Sequence, residues 1–377
     1  MSRTLSVAAA LGLSVAGAAG FLVMPLVLGA AVIDLDLDEA QVGYLGAVVL
    51  AGSTVSALCA AAVVRKASWH LIGYIGLGLQ IAGLTVAAFL DSFVPVAAAI
   101  TVASLGGGIT YSLALTALSD HQNASELFGF SIAAQVLFQV IGMILLPVFL
   151  KPGGLGLSLL VLAGIALIAF PVVKFLPLGG REDEQYASIT TSEIFSQPRG
   201  IFALTGCFFF FVNIGALWAY IERIGSKAGF VPESLGQAMA AGVAFGVLGS
   251  LVAAWQKDRY GLVLPLSLGT VVTLGSLVLL AVPSSLLVFF TGFALYNFVW
   301  NYSLTYQYTA VAASDTSGRF VAATPTFHGL GGTVGPVIAA MYVAPGNLMP
   351  VSIVAGSAVV ISLIMFIPAV RGKRVAS

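Results

Sequence analysis

The side chains in this chain that could do chemistry are few, and most of them sit inside long apolar runs. Asparagine, glutamine and histidine occur deep in those runs as Gln80, Gln135, Gln139, Asn213, Asn297, Asn301, Gln307 and His328. Each is costly in an apolar medium unless it faces protein or water, so their positions mark interior surfaces. Residues three, four, seven or eleven apart share a helix face. On that rule Asn297, Asn301 and Tyr308 lie together, with Tyr296 and Trp300 on the neighbouring stripe. Asn213 and Tyr220 share a face with Trp218 close to the same end, while Ser131, Gln135 and Gln139 form one ladder and Ser104, Gly108 and Tyr111 another. Such a set offers stacking and a few hydrogen bonds, the lining of a chamber for a small, partly apolar organic molecule. Tyr111, Gln135, Gln139, Asn213, Trp218, Tyr220, Tyr296, Asn297, Trp300 and Asn301 are the expected lining. Amides also join packed helices, so solute contact and helix packing both stand open for each of them.

Two residues are candidates for carrying a proton. His328 is the one side chain deep in a run whose free form titrates near neutral pH, and it shares a face with Thr324, Gly331 and Gly335. A neutral imidazole bonded across a tight glycine seam is the competing reading. Glu222 is expected near the end of its run beside Arg223, as a solvated rim charge or as a gate. Asp120, Asp258, Arg259, Asp315 and Arg319 fall at helix ends, where acidic and basic groups could pair and separate as a gate. Exposed ion pairs contribute only about 0–1 kcal/mol each, enough to bias a balanced equilibrium. Nothing resembles an enzyme: no Ser-His-Asp, Cys-His or His-Glu set is present. The Gly106-Gly107-Gly108 run lies within an apolar helix, where glycine serves close packing rather than phosphate binding. Cys59 and Cys207 stand alone, so neither a disulfide framework nor a metal site is expected, and no cofactor is implied.

Composition explains what positions these groups. Of 377 residues 59% are hydrophobic and only 8% charged, with 15 cations and 15 anions. A water-soluble fold is excluded by that balance, and no basic block exists to hold nucleic acid. A membrane helix needs about 20 apolar residues. Twelve such runs are read, at 5–32, 40–64, 68–90, 93–118, 126–149, 155–176, 200–222, 233–256, 261–282, 285–311, 318–343 and 348–370. With an even count and the amino terminus inside, most cations fall on the cytoplasmic side and only Lys151, Arg223 and Lys227 lie outside. The expectation is an all-α integral protein of the cytoplasmic (inner) membrane with both termini cytoplasmic, a monomer in the lipid bilayer.

A polar linker at 179–199 divides the runs into a six-helix bundle at 1–178 and a second at 200–377. The halves repeat weakly: Val42-Gly43 returns as Leu235-Gly236 and Arg65-Lys66 as Asp258-Arg259, both at an offset of 193. Ala117-Leu118-Ser119-Asp120 returns as Ala312-Ala313-Ser314-Asp315 at an offset of 195. Parallel repeats of this kind are a transporter architecture with a site between the halves. Asp258-Arg259-Tyr260-Gly261 resembles the Asp-Arg-x-Gly core of a cytoplasmic loop in the major facilitator superfamily, and the resemblance spans essentially the whole chain. The first half keeps only the cations, as Arg65-Lys66-Ala67-Ser68. Gly331, Gly335 and Pro336 are similar to that family's exporter motif, although on the eleventh span rather than the fifth. Val102 stands where exporters of the family often carry an arginine, which leaves their proton-antiport scheme unsupported here. The resemblance implies that spans 1, 4, 7 and 10 line a central cavity, 2, 5, 8 and 11 form the seam, and 3, 6, 9 and 12 face lipid. It implies a secondary transporter of a small organic solute. Proton coupling, uncoupled facilitation and a non-transporting sensor or scaffold are the readings left open.

Overall fold

Pro25 divides the first apolar run, expected as one span, into α1 (Arg3–Leu22) and α2 (Met24–Asp34). Proline has no N–H for the carbonyl four residues back and its ring crowds that turn, so Val23 between the two helices departs from helical geometry, with φ −110° and ψ 11°. The structure is a computed structural model that describes residues 3–64, 66–121, 124–179, 198–256, 259–314 and 319–370. α3 (Glu39–Val63) opens on a capping box: Asp38 accepts the Gln41 N–H at 2.8 Å and Gln41 accepts the Asp38 N–H at 3.0 Å. α4 (Trp69–Ala87) and α5 (Phe93–Ser119) follow. α6 (Ala124–Ala169) then carries two of the expected spans as two helical stretches divided by a kink at Gly154.

That bend has a visible cause. Gly154 takes φ +54°, in the left-handed region open to glycine, and the Asp34 carboxylate at the end of α2 accepts the Leu155 N–H that starts the next helical stretch. A Cβ at Gly154 would run into that carboxylate. Asp34→Ala removes a cap and is expected to destabilise the protein by about 1 kcal/mol. Gly154→Ala meets both the conformational penalty and the collision, so its loss should be larger, about 2 kcal/mol. Thermal unfolding of the purified protein in detergent checks the order of the two.

The chain forms two compact units, 1–185 and 186–377. In the first, α5 packs against α1, α3 and α4, and α6 packs on α1 and α4. Its core gathers Leu13, Trp69, Leu77, Leu113 and Val173. The second unit comprises α7 (Pro198–Lys227), α8 (Pro232–Gln256), α9 (Val263–Ala281), α10 (Leu286–Ser314), α11 (Arg319–Tyr342) and α12 (Met349–Val370). There α7 packs on α11 and α12, and α10 on α8 and α9, around Leu204, Cys207, Tyr302, Tyr306 and Phe366. Cys207 is thus a packing residue, whereas Cys59 lies on an exposed face.

Ten helical stretches among the described residues are long and apolar enough to cross a bilayer. The reading of twelve spans also counted α10 and α11. Both are long, but their sequences are interrupted by Asn297, Asn301, Gln307 and four tyrosines in one, and by His328, threonines and two prolines in the other. The two helices that fall short on apolarity do so because they carry candidate site residues, Tyr296, Asn297, Trp300 and Asn301 in α10 and His328 in α11.

Candidate functional site

In the second unit the candidates converge on α7, α10 and α11. Asn213 of α7 is fully buried, and its Oδ1 accepts a 3.1 Å hydrogen bond from the Tyr296 hydroxyl of α10. The same hydroxyl lies 3.3 Å from the Asn213 backbone carbonyl. The amide's other end, Nδ2, has no partner among the described residues, so the buried pair holds one unused donor. Rings surround it. Trp218 stacks on Phe293 with centroids 6.2 Å apart and meets Trp300 edge-on at 6.0 Å. Trp300 in turn meets Phe211 edge-on at 6.4 Å. His328 lies flat against Phe211, centroids 3.9 Å apart and planes 14° apart, with the Tyr308 ring edge-on at 5.6 Å. Its Nε2 is buried and has no partner among the described residues. Aromatic faces with one unused amide donor and one imidazole nitrogen can hold a planar, partly apolar solute by stacking and directed hydrogen bonds.

Glycine brings these helices together. Cβ atoms added at Gly215, Gly331 and Gly335 would meet the carbonyls of Gly332, Phe208 and Val212 respectively, so α7 and α11 touch backbone to backbone. His328, one turn from Gly331, is thereby set against the α7 rings.

The first unit builds a continuous polar ladder. Ser14 of α1 donates to the Leu11 carbonyl at 2.8 Å, Ser131 of α6 donates to Ser14 Oγ at 2.8 Å, and Gln135 donates to Ser131 Oγ at 3.0 Å. Gln135 also bonds the Tyr111 side chain of α5. One turn on, Gln139 donates to the Leu22 carbonyl at 3.1 Å, beside the break before Pro25. Tyr111, Gln135 and Gln139 are thus brought together around α1, with helix linkage as the role their hydrogen bonds display.

Other candidates are placed differently. The Asn297 amide donates to the Phe293 carbonyl at 2.9 Å and that of Asn301 to the Asn297 carbonyl at 3.1 Å, each within its own helix. The Asn301 amide also lies against Gly246 of α8. Tyr296, on the adjacent stripe, reaches α7, as the Phe293 and Trp300 rings also do. Tyr220 is fully buried in α7. Glu222, expected as a solvated rim charge, is instead 9% exposed and accepts a 2.8 Å hydrogen bond from Ser226. The rim expectation failed because it counted residues along the helix and could not see the neighbours packed over it. Of the gate set, Asp120 caps α5, and Arg259 lies over the Trp255 ring at 5.6 Å. Asp258 and Asp315 lie outside the described residues, and so does the Arg319 side chain.

Sequence reasoning missed Phe211 and Phe293, which complete the aromatic wall. The Phe208–Phe211 run was the available signal, but apolar aromatics are ordinary in any span. It also missed Gln256, at the end of α8, whose Oε1 accepts from Tyr302 at 2.7 Å and Tyr306 at 3.2 Å.

No curated protein matches the chain. Solved structures do, over nearly its whole length. A mutant of the nucleoside transporter NupG is 15% identical with a TM-score of 0.78, covering 98% of this chain and 100% of the other. A bacterial homolog to the human lysosomal transporter Spinster, inward-facing and occupied, is 13% identical with a TM-score of 0.76, covering 99% and 98%. At such identities the likeness shows the fold alone. The sequence model of the Major Facilitator Superfamily matches residues 9–336. An all-helical membrane chain of this length, matched by that model and by transporters of the same fold, belongs to the Major Facilitator Superfamily.

Proposed function

We propose that this protein is a secondary active transporter that moves a small, partly apolar organic solute across the cytoplasmic membrane by alternating access. Both termini are cytoplasmic in this reading, the protein works as a monomer, and it is not an enzyme. The buried Tyr296–Asn213 pair, on helices whose Trp218, Trp300, Phe293 and Phe211 rings pack against one another, carries the proposal. That arrangement suits a flat ring with hydrogen-bond acceptors at its edge. The absence of Lys and Arg from the ring wall argues against phosphorylated or multiply charged cargo, which needs a buried counter-charge.

Coupling to protons is supported by His328, the titratable group stacked into this wall. The test is uptake and counterflow in proteoliposomes over a panel of aromatics, organic acids, drugs and nucleosides, the last because a neighbour of the same fold carries that description. With one proton per solute, an imposed gradient should drive accumulation by up to about tenfold per pH unit. His328→Ala should abolish that accumulation while leaving exchange at equal pH. Identical accumulation with and without the gradient makes the protein an uncoupled facilitator. Failure of every panel member to move returns the reading to a sensor or scaffold.

A further inference from the structure

We propose that a cavity within the first unit is a hydration site, holding ordered water against Gln80. The cavity has a volume of about 50 Å³ and lies beside the break between α1 and α2, lined by Gly20, Met24, Ser53, Gln80 and Ser104 among others. A water needs about 10–15 Å³ of such space, so it has room for about three to five. Gln80 is 4% exposed and donates through Nε2 to the Ala16 carbonyl at 2.8 Å. Its Oε1 has no partner among the described residues. Ser53 Oγ uses its proton toward the Val49 or Ser104 carbonyl, at 3.1 Å and 3.3 Å, which leaves its lone pairs able to accept.

A water in this space donates one proton to Gln80 Oε1 and the other to Ser53 Oγ, two of the two to four partners that hold buried water in place. The ligand is neutral, because no Asp, Glu, Lys or Arg lines the cavity and an unpaired ion would lose its hydration there. The remaining walls, among them Leu28, Leu45, Val49 and Ile100, are apolar and would leave the space dry without the amide oxygen. Water at this point supplies the donor that Gln80 Oε1 lacks.

Radiolytic hydroxyl-radical footprinting of the full-length protein in nanodiscs tests this, because radicals formed from bound water oxidise the nearest methionine. Met24 lines the cavity at 1% exposure, while Met143 and Met239, each 0% exposed, lie outside its lining and serve as dry references. Met24 is expected to oxidise about tenfold faster than either reference. Gln80→Leu removes the acceptor, and Gly20→Val fills the space without a collision, since a Cβ there meets nothing within 4 Å. Both variants should bring Met24 down to the reference rate. If Gln80→Leu does not fold, Gly20→Val alone decides. Met24 as slow as Met143 and Met239, or a rate unchanged by the variants, overturns the proposal.

Discussion

Gly215→Leu is expected to leave little folded protein, with a loss of about 3 kcal/mol or more, beyond the usual range for overpacking. The magnitude follows from what the new side chain meets. At Gly215 it is the Gly332 backbone, and at Gly335 it is the Val212 carbonyl and Ala216 nitrogen. No flexible side-chain end is available to move aside, so α7 and α11 must separate, which also removes the stacking of His328 on Phe211. Gly335→Leu should behave alike. Gly12, Gly164 and Gly275 provide the control, because a Cβ at any of them meets nothing within 4 Å. Alanine at these sites should leave thermal unfolding unchanged or slightly raised, given the intrinsic preference of helices for alanine over glycine. Equal melting curves for Gly215→Leu and Gly275→Ala would show that the α7–α11 backbone contact does not exist in the membrane protein.

Tyr296→Phe should lower solute uptake by about tenfold or more, since a buried acceptor stripped of its donor loses about 1–3 kcal/mol and the site's geometry with it. The hydroxyl of Tyr296 is the donor that fixes Asn213 Oδ1, and with it the direction of the unused Nδ2. Asn213→Leu removes the spare donor as well and should reduce uptake at least as far. Combining both changes is the informative experiment. The double variant should be no worse than Asn213→Leu alone, because the two groups act as one unit. Strict additivity of the two losses would separate Tyr296 from Asn213 and withdraw the pair from the site. An Asn297→Leu variant belongs in the same series: its amide serves its own helix, so a smaller loss is expected than at Asn213.

The fold class was legible in the sequence because the bilayer demands long apolar runs, and the polar linker and the repeat divide them into halves. The break at Pro25 was not, since a hydrophobic run reads the same whether or not one N–H is missing from its middle. The break at Gly154 was legible in part: the gap between the runs at 126–149 and 155–176 falls on it, but nothing in the runs reveals that Asp34 takes the Leu155 N–H there. For the site, helical spacing placed Tyr296, Asn213, Trp218, Trp300 and His328 on helices that do meet around one set of rings. Spacing also grouped Asn297 with Asn301, and there its reach ended. Periodicity shows which residues share a face, while the choice of neighbour for that face depends on where glycines let backbones approach. Gly246 draws Asn301 towards α8, and Tyr296, on the adjacent stripe, is left facing α7.

The short α2 segment has an implication for biogenesis. Met24 through Val32 are all buried, so this stretch presents no side to acyl chains, and it packs against α3 and α6. While the ribosome has delivered only the first helices, its partners in α6 do not yet exist, and the Leu22 carbonyl still lacks Gln139. The far end of the earliest-made span is therefore among the last parts of its unit to settle, and a nascent chain arrested ahead of Ala124 would carry it unclasped.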